Sequence, residues 1–203
     1  LAACMIPDSV TSIGESAFGA CISLTSVTIP DSVTSIGDYA FYGCKSLTSV
    51  AIPDSVTCIG NCAFWKCSSL ASVTIPDSVT SIGYEAFANC KSLESIHLPD
   101  GVTNIGGLAF AQCYALKEIN LPDSLTTIGE EAFRGVPIAE VVIPANVTEI
   151  ADWTFYYNGE LRSLTLPDGL KKIGANAFCG ASKLQSVELP ESLEEIGDAA
   201  FRE

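Results

Sequence analysis

Cys21, Cys44, Cys67, Cys90 and Cys113 recur every 23 residues, and Asn158 and Ala181 later hold the same slot. A row of thiols suggests disulfide or metal chemistry. A slot that alanine can fill is instead a small apolar one, and a free cysteine packs as a small hydrophobe. Stacked thiols on one face do not by themselves meet disulfide geometry, and the odd total of nine cysteines argues against a fully paired framework. Cys58, Cys62 and Cys67 cluster more densely. They lack the paired C-x-x-C spacing and the nearby histidine that a four-ligand zinc site would use, so no metal or other cofactor is expected.

Carboxylates form a second row: Asp8, Asp31, Asp54, Asp77, Asp100 and Asp123, with Asp168 and Glu191 later. Calcium bridges such oxygen-rich edges. Here the acids follow proline in a turn signature, most often Pro-Asp-Ser, and no second acidic row supplies more ligands, so the expected role is capping of the turn by the Asp side chain. Catalysis has little material. His97 is the only histidine and no acid–nucleophile set accompanies it in a motif. Glu118 and Glu140 evoke paired carboxylates, but equivalent slots of adjacent repeats fall about 5 Å apart automatically. The chain is read as non-enzymatic.

These rows exist because the whole chain repeats. Pro7, Pro30, Pro53, Pro76, Pro99, Pro122, Pro144, Pro167 and Pro190 fall in register at 22 or 23 residues, and all nine phenylalanines share one slot, from Phe18 to Phe201. An ordinary domain scatters its aromatics, whereas stacked equivalent coils offer the same hole each time. Residues 1–6 are read as a partial repeat, 7–189 as eight complete repeats and 190–203 as a final partial repeat, making one continuous solenoid and a piece of a longer polypeptide. The 48% hydrophobic content supports a packed interior. A net charge of −14 disfavours nucleic-acid phosphates and anionic headgroups, and no apolar run suits direct membrane insertion.

Within one repeat, Leu24–Ile29 alternates as a short strand with Val27 and Ile29 inward. Pro30 ends it, Val33 and Ile36 face inward on a second extended side, and Gly37 is expected to turn a corner with positive φ. Ala40, Phe41 and Cys44 share one face of a helical or 3-10 turn, directed at the core. A spacing of about 4.8 Å per coil makes eight coils roughly 40 Å long.

The order L-x-x-V-x-I-P-D-S-V-T-S-I-G-x-x-A-F-x-x-C, as in Leu47 to Cys67, resembles the BspA-type leucine-rich repeat and covers essentially the whole chain. The resemblance implies a right-handed leucine-rich repeat solenoid with its parallel β-sheet on the concave face and extended segments and short helical or 3-10 turns elsewhere. It also implies an extracellular or cell-surface location and an adhesion role. It carries over no catalytic residues.

Function is therefore sought in the slots that vary. Early outward strand slots hold only small groups: Ser26, Thr28, Ser49, Ala51, Ser72 and Thr74. From Glu94 onward the same face carries Glu94, His97, Lys117, Glu118, Asn120, Glu140, Val142 and Arg162, a mixed-charge patch able to make directional hydrogen bonds. A second candidate surface is aromatic. Tyr39, Tyr42 and Trp65 belong to adjacent coils, and Trp153, Tyr156 and Tyr157 crowd one coil; such rings anchor protein partners and stack on sugars. The expected ligand is a protein or glycoprotein, including a host-derived one, with carbohydrate as a further option. Alternatives are a spacer or self-association module and a targeting domain of a larger enzyme. Two coils depart from the pattern: one residue is lost around Gly135-Val136-Pro137, and with it the cysteine slot, and the next coil has Ala145, Ala151 and Thr154 in place of Asp, Gly and Ala. Broken local rules mark functional or strained places, and a decaying repeat has the same look.

Overall fold

The computed structural model describes residues 1–203 as a solenoid of about eight turns built from parallel strands, with no helix. Most turns contribute two short strands, because inward valine and isoleucine alternate with outward polar residues over only a few positions before proline or glycine intervenes. The first set includes Ala3–Met5, Ser26–Thr28, Ser49–Ala51, Ser72–Thr74, Glu140–Val142 and Ser163–Thr165, each burying its central residue fully or partly. The second set runs Ser12–Ile13, Ser35–Ile36, Cys58–Ile59, Ser81–Ile82, Asn104–Ile105 and Thr127–Ile128 as one six-stranded sheet, and resumes at Glu149–Ile150, Lys172–Ile173 and Glu195–Ile196. Register is uniform, with Val50 opposite Val73 and Ile59 opposite Ile82.

Of 105 backbone–backbone hydrogen bonds 12 lie within these strands, and the others lie in turns and corners or link adjacent coils beside the strands. The corner around each phenylalanine is itself a ladder. Tyr39 N–H donates to Asn61 O at 2.8 Å, Phe41 N–H to Ala63 O at 2.8 Å and Gly43 N–H to Trp65 O at 2.7 Å, and the same three bonds recur at every later junction. Turns rather than the expected helical or 3-10 geometry form here, because these amides point along the solenoid axis to the next coil instead of back along their own chain.

The glycine of the corner was expected to adopt positive φ. It does not. Left-handed φ falls instead two residues before and two after each phenylalanine, at Tyr39 (57°) and Gly43 (66°) in one coil and at Cys62 (54°) and Lys66 (60°) in the next. Gly37 is required by close approach: a Cβ there would lie 2.9 Å from Glu15 N, and at Gly106 2.6 Å from Tyr84 N.

The core is one cluster threaded by phenylalanine. Phe41, Phe64, Phe87, Phe110, Phe133, Phe155 and Phe178 are fully buried. From Phe18 to Phe201 successive rings stack at 5.2 to 5.6 Å with interplanar angles of 1° to 14°. That is offset stacking of nearly parallel rings, which equivalent coils permit.

Small polar side chains tie coil to coil. Ser32 Oγ donates to Val10 O at 2.7 Å and Ser78 Oγ to Val56 O at 2.6 Å, so the serine of Pro-Asp-Ser bonds the preceding coil, and the local cap expected of the aspartate is not made. The Asp side chains of that row are exposed and make no hydrogen bond. The core cysteines do more than fill space: Cys44 Sγ donates to Phe18 O at 3.1 Å, and Cys67, Cys90 and Cys113 repeat this on Phe41, Phe64 and Phe87. All nine cysteines are free thiols. The cysteine slot is also not lost in the shortened coil. Val136, fully buried, fills it, and the missing residue lies between Val136 and Ile138.

Gly106→Ala should lower stability by about 1–3 kcal/mol in urea unfolding, because its methyl group meets backbone, while Gly169→Ala, whose nearest atom is 3.8 Å away, should change it by less than about 0.5 kcal/mol. Burial pushes the Cys113 thiol up to about 12, and Cys90 also well above its ordinary value. Alkylation of the native chain at neutral pH should label exposed Cys58 and spare Cys90 and Cys113 until the chain unfolds. A thiol with a raised folded pKa contributes its stability in full below about pH 8.5, the unfolded value. The urea midpoint should therefore fall as pH climbs from there towards 12, and Cys113→Ala should flatten that fall.

Candidate interaction surfaces

Glu94, His97, Lys117, Glu118, Asn120, Glu140, Val142 and Arg162 are all exposed, on strand-side slots of successive coils. The periodicity places them there: each lies beside an inward residue of the Leu-x-x-Val-x-Ile segment, so its side chain must project outward. His97 and Asn120 face each other across an isolated parallel bridge. Lys117, Glu118 and Glu140 come together with Pro137, Ala139 and Glu160 around an open pocket of about 520 Å³. Arg162 sits one coil on, with its guanidinium 3.5 Å from Glu160 Oε2. Glu160 in turn accepts from Lys183 Nζ at 2.6 Å, and this lysine holds its carboxyl below the usual range. Glu94 shares this face but does not line that pocket. The arrangement offers separate donors and acceptors on an irregular floor, suited to recognition.

One part of this surface departs from the expected sheet. Residues Lys117–Asn120 form no strand beyond the single bridge at Asn120, and the first strand set is interrupted there. The pocket opens at this interruption.

The aromatic residues form two built clusters on the corner. Tyr39 meets Tyr42 edge-on at 6.2 Å, Tyr42 stacks on Trp65 at 5.3 Å, and Lys66 Nζ lies 4.0 Å over the indole. Tyr42 also crosses Gly19 of the preceding coil, its ring 3.5 Å from where a Cβ would stand. In the second cluster Trp153 and Tyr156 lie 5.4 Å apart and Tyr156 and Tyr157 4.1 Å apart, with Arg134 5.8 Å over Tyr156 and bonded to Glu131 at 2.7 Å. Tyr157 is 62% exposed, while Tyr42, Trp65, Trp153 and Tyr156 are half-buried. Lys66, Glu131 and Arg134 were not singled out from sequence. The signal was there: Lys66 follows Trp65 directly, and Glu131 and Arg134 stand one coil before the slots of Trp153 and Tyr156.

Cys58, Cys62 and Cys67 do not converge: Cys58 is an exposed strand residue, Cys62 lies at a left-handed corner position 3.6 Å from Glu85 Oε2, and Cys67 is in the core. No three His, Cys, Asp or Glu side chains gather as a metal-holding group. No helix is long and apolar enough to cross a membrane.

A family model for the BspA type leucine rich repeat region matches residues 1–117 and 104–203, in six copies. No curated protein matches the chain significantly. Among solved structures, a leucine rich repeat protein of T. pallidum is 33% identical, with a TM-score of 0.79, over 86% of this chain and 83% of its own. A leucine rich cell surface protein of Faecalibacterium prausnitzii A2-165 is 34% identical, with a TM-score of 0.82, over 99% of this chain and 66% of its own. A leucine-rich repeat protein of Bacteroides ovatus is 26% identical, with a TM-score of 0.62, over 100% of this chain and 76% of its own. Repeat, core and corner agree with the family match, and the chain belongs to the BspA-type leucine-rich repeat family.

Proposed function

We propose that this chain is a non-enzymatic protein-interaction and adhesion module of a secreted or cell-surface leucine-rich repeat protein. One observation carries the proposal: the invariant slots are consumed by core and coil-to-coil bonding, while the polar residues that vary lie exposed on one face around the pocket of Lys117, Glu118 and Glu140. A preformed, rigidly backed surface of this kind loses little conformational entropy on binding. Similarity to a cell surface protein supports the location. The partner that fits is a protein or glycoprotein, such as a host-derived one, presenting both charge signs. Sugar stacking is less well supported at Trp65, whose ring already carries Tyr42 and Lys66. Tyr157 is the better exposed ring.

A spacer role is favoured for the early coils alone, whose outward strand slots hold serine, threonine and alanine.

The combined variant Glu118→Lys, Arg162→Glu and Trp153→Ala should bind partners captured from a panel of host extracellular proteins at least about tenfold more weakly than the parent, a loss of about 1.4 kcal/mol. Circular dichroism must first show it folded. Equal binding of every captured partner would sink the surface assignment. Deleting residues 53–75, one early coil, should leave that binding unchanged; a comparable loss would instead extend the surface over the early coils.

A further inference from the structure

At one junction the solenoid is held by its corner alone. Between the coil containing Phe133 and that containing Phe155, Glu140–Val142 pairs forward with Ser163–Thr165 but makes no backbone bond back to residues 117–120. On the second side, Glu149–Ile150 pairs forward with Lys172–Ile173, and no amide of residues 148–151 donates to a carbonyl of residues 126–128. Both sheets stop at the same place. The corner ladder continues through it: Glu131 N–H to Asp152 O at 3.2 Å, Phe133 N–H to Thr154 O at 2.9 Å and Gly135 N–H to Tyr156 O at 2.7 Å. A single side-chain bond, Asn146 Nδ2 to Asp123 O at 2.8 Å, assists on the far side.

Each interruption has a cause in the sequence. On the first side the chain is one residue short between Val136 and Ile138, which pulls the following strand out of reach of residues 117–120. On the second side Ala151 takes the corner slot that glycine holds in every other coil. A Cβ in that slot approaches the preceding coil's backbone to 2.7 Å at Gly83 and 2.6 Å at Gly106. An alanine methyl group in that slot crowds the preceding coil's backbone, and the bond that Gly129 N–H makes to Ile105 O has no counterpart at Ala151. The core weakens at the same coil. Asn158 occupies the cysteine slot fully buried, yet neither side-chain polar atom has a partner, where cysteines bond the preceding phenylalanine carbonyl. The Phe133–Phe155 pair is also the most tilted of the stack, at 14°.

We propose that this junction is a hinge: residues 1–136 and 138–203 form two stiff ladders that open and close about the intact corner as a spine, with the pocket of Lys117, Glu118, Pro137, Ala139, Glu140 and Glu160 as the mouth. The mixed-charge patch straddles the hinge, with Lys117 and Glu118 on one side and Glu140 and Arg162 on the other. Opening changes their separation, so the geometry presented to any partner is adjustable here and fixed elsewhere.

Hydrogen exchange on the parent chain tests the proposal. Peptides covering 117–121 and 148–151 should exchange at least about tenfold faster than the equivalent segments 71–75 and 80–83, since unpaired ladder amides open locally. Small-angle scattering of the same chain should require a distribution of bend angles. Ala151→Gly combined with one serine inserted between Pro137 and Ile138 should slow that exchange and reduce the scattering to a single rigid shape. Uniform protection across these segments, or a parent profile already described by one rigid solenoid, would overturn the hinge. Both parent measurements stand even where the repaired variant fails to fold.

Discussion

Every coil of this protein is stable only because the next coil is its copy. The phenylalanine column expresses that constraint most directly: an offset stack of rings at 5.2 to 5.6 Å demands an equivalent backbone path and neighbour at each step. The corner ladder supplies the polar counterpart, since amides that point along the axis find carbonyls only where the adjacent coil repeats the turn. An isolated repeat would have neither. Stability is thus nearly one-dimensional, accumulating junction by junction.

From that constraint follows the division between scaffold and surface. Glycine at the corner, serine after Pro-Asp and cysteine after phenylalanine serve contacts with the neighbouring coil: close backbone approach, a hydroxyl bond and a thiol bond respectively. Residues that resemble chemistry in a linear sequence are therefore spent on stacking. What remains free is the outward side of the strands and corners, where Glu118, Glu140 and Arg162 and the two aromatic clusters lie. An adhesion module gains from such an arrangement, because surface slots change without disturbing the core.

Most of the architecture was legible in the repeat. Inward Val27, Ile29, Val33 and Ile36 and the buried phenylalanine and cysteine slots follow from periodicity, which senses alternation and burial. Dihedral angles are less visible. The left-handed positions before the phenylalanine carry tyrosine, cysteine, glutamate and leucine at Tyr39, Cys62, Glu85 and Leu108, which do not reveal them, and glycine marks the slot after it only at Gly43, Gly135 and Gly180, while the corner glycine that suggests positive φ serves a steric purpose. Coil-to-coil partners were also hidden: Ser32 reaching Val10, or Cys90 reaching Phe64, depends on register in three dimensions. For the surfaces, exposure of the mixed-charge residues could be read from slot position, but the pocket could not. It arises from an interrupted ladder, and only a missing residue and the unusual Ala151 hinted at it.

If stacking of identical corners is what holds the molecule together, then the ring that bridges the junction lacking both sheets matters differently from a ring elsewhere. Urea unfolding of Phe155→Ala beside Phe64→Ala measures this directly. Each change removes a fully buried ring and should cost about 3–5 kcal/mol. Phe155→Ala should divide unfolding into two transitions, one for each half of the solenoid, whereas Phe64→Ala, backed by both ladders, should keep a single transition at lower urea. Single transitions of equal loss in both variants would contradict the account.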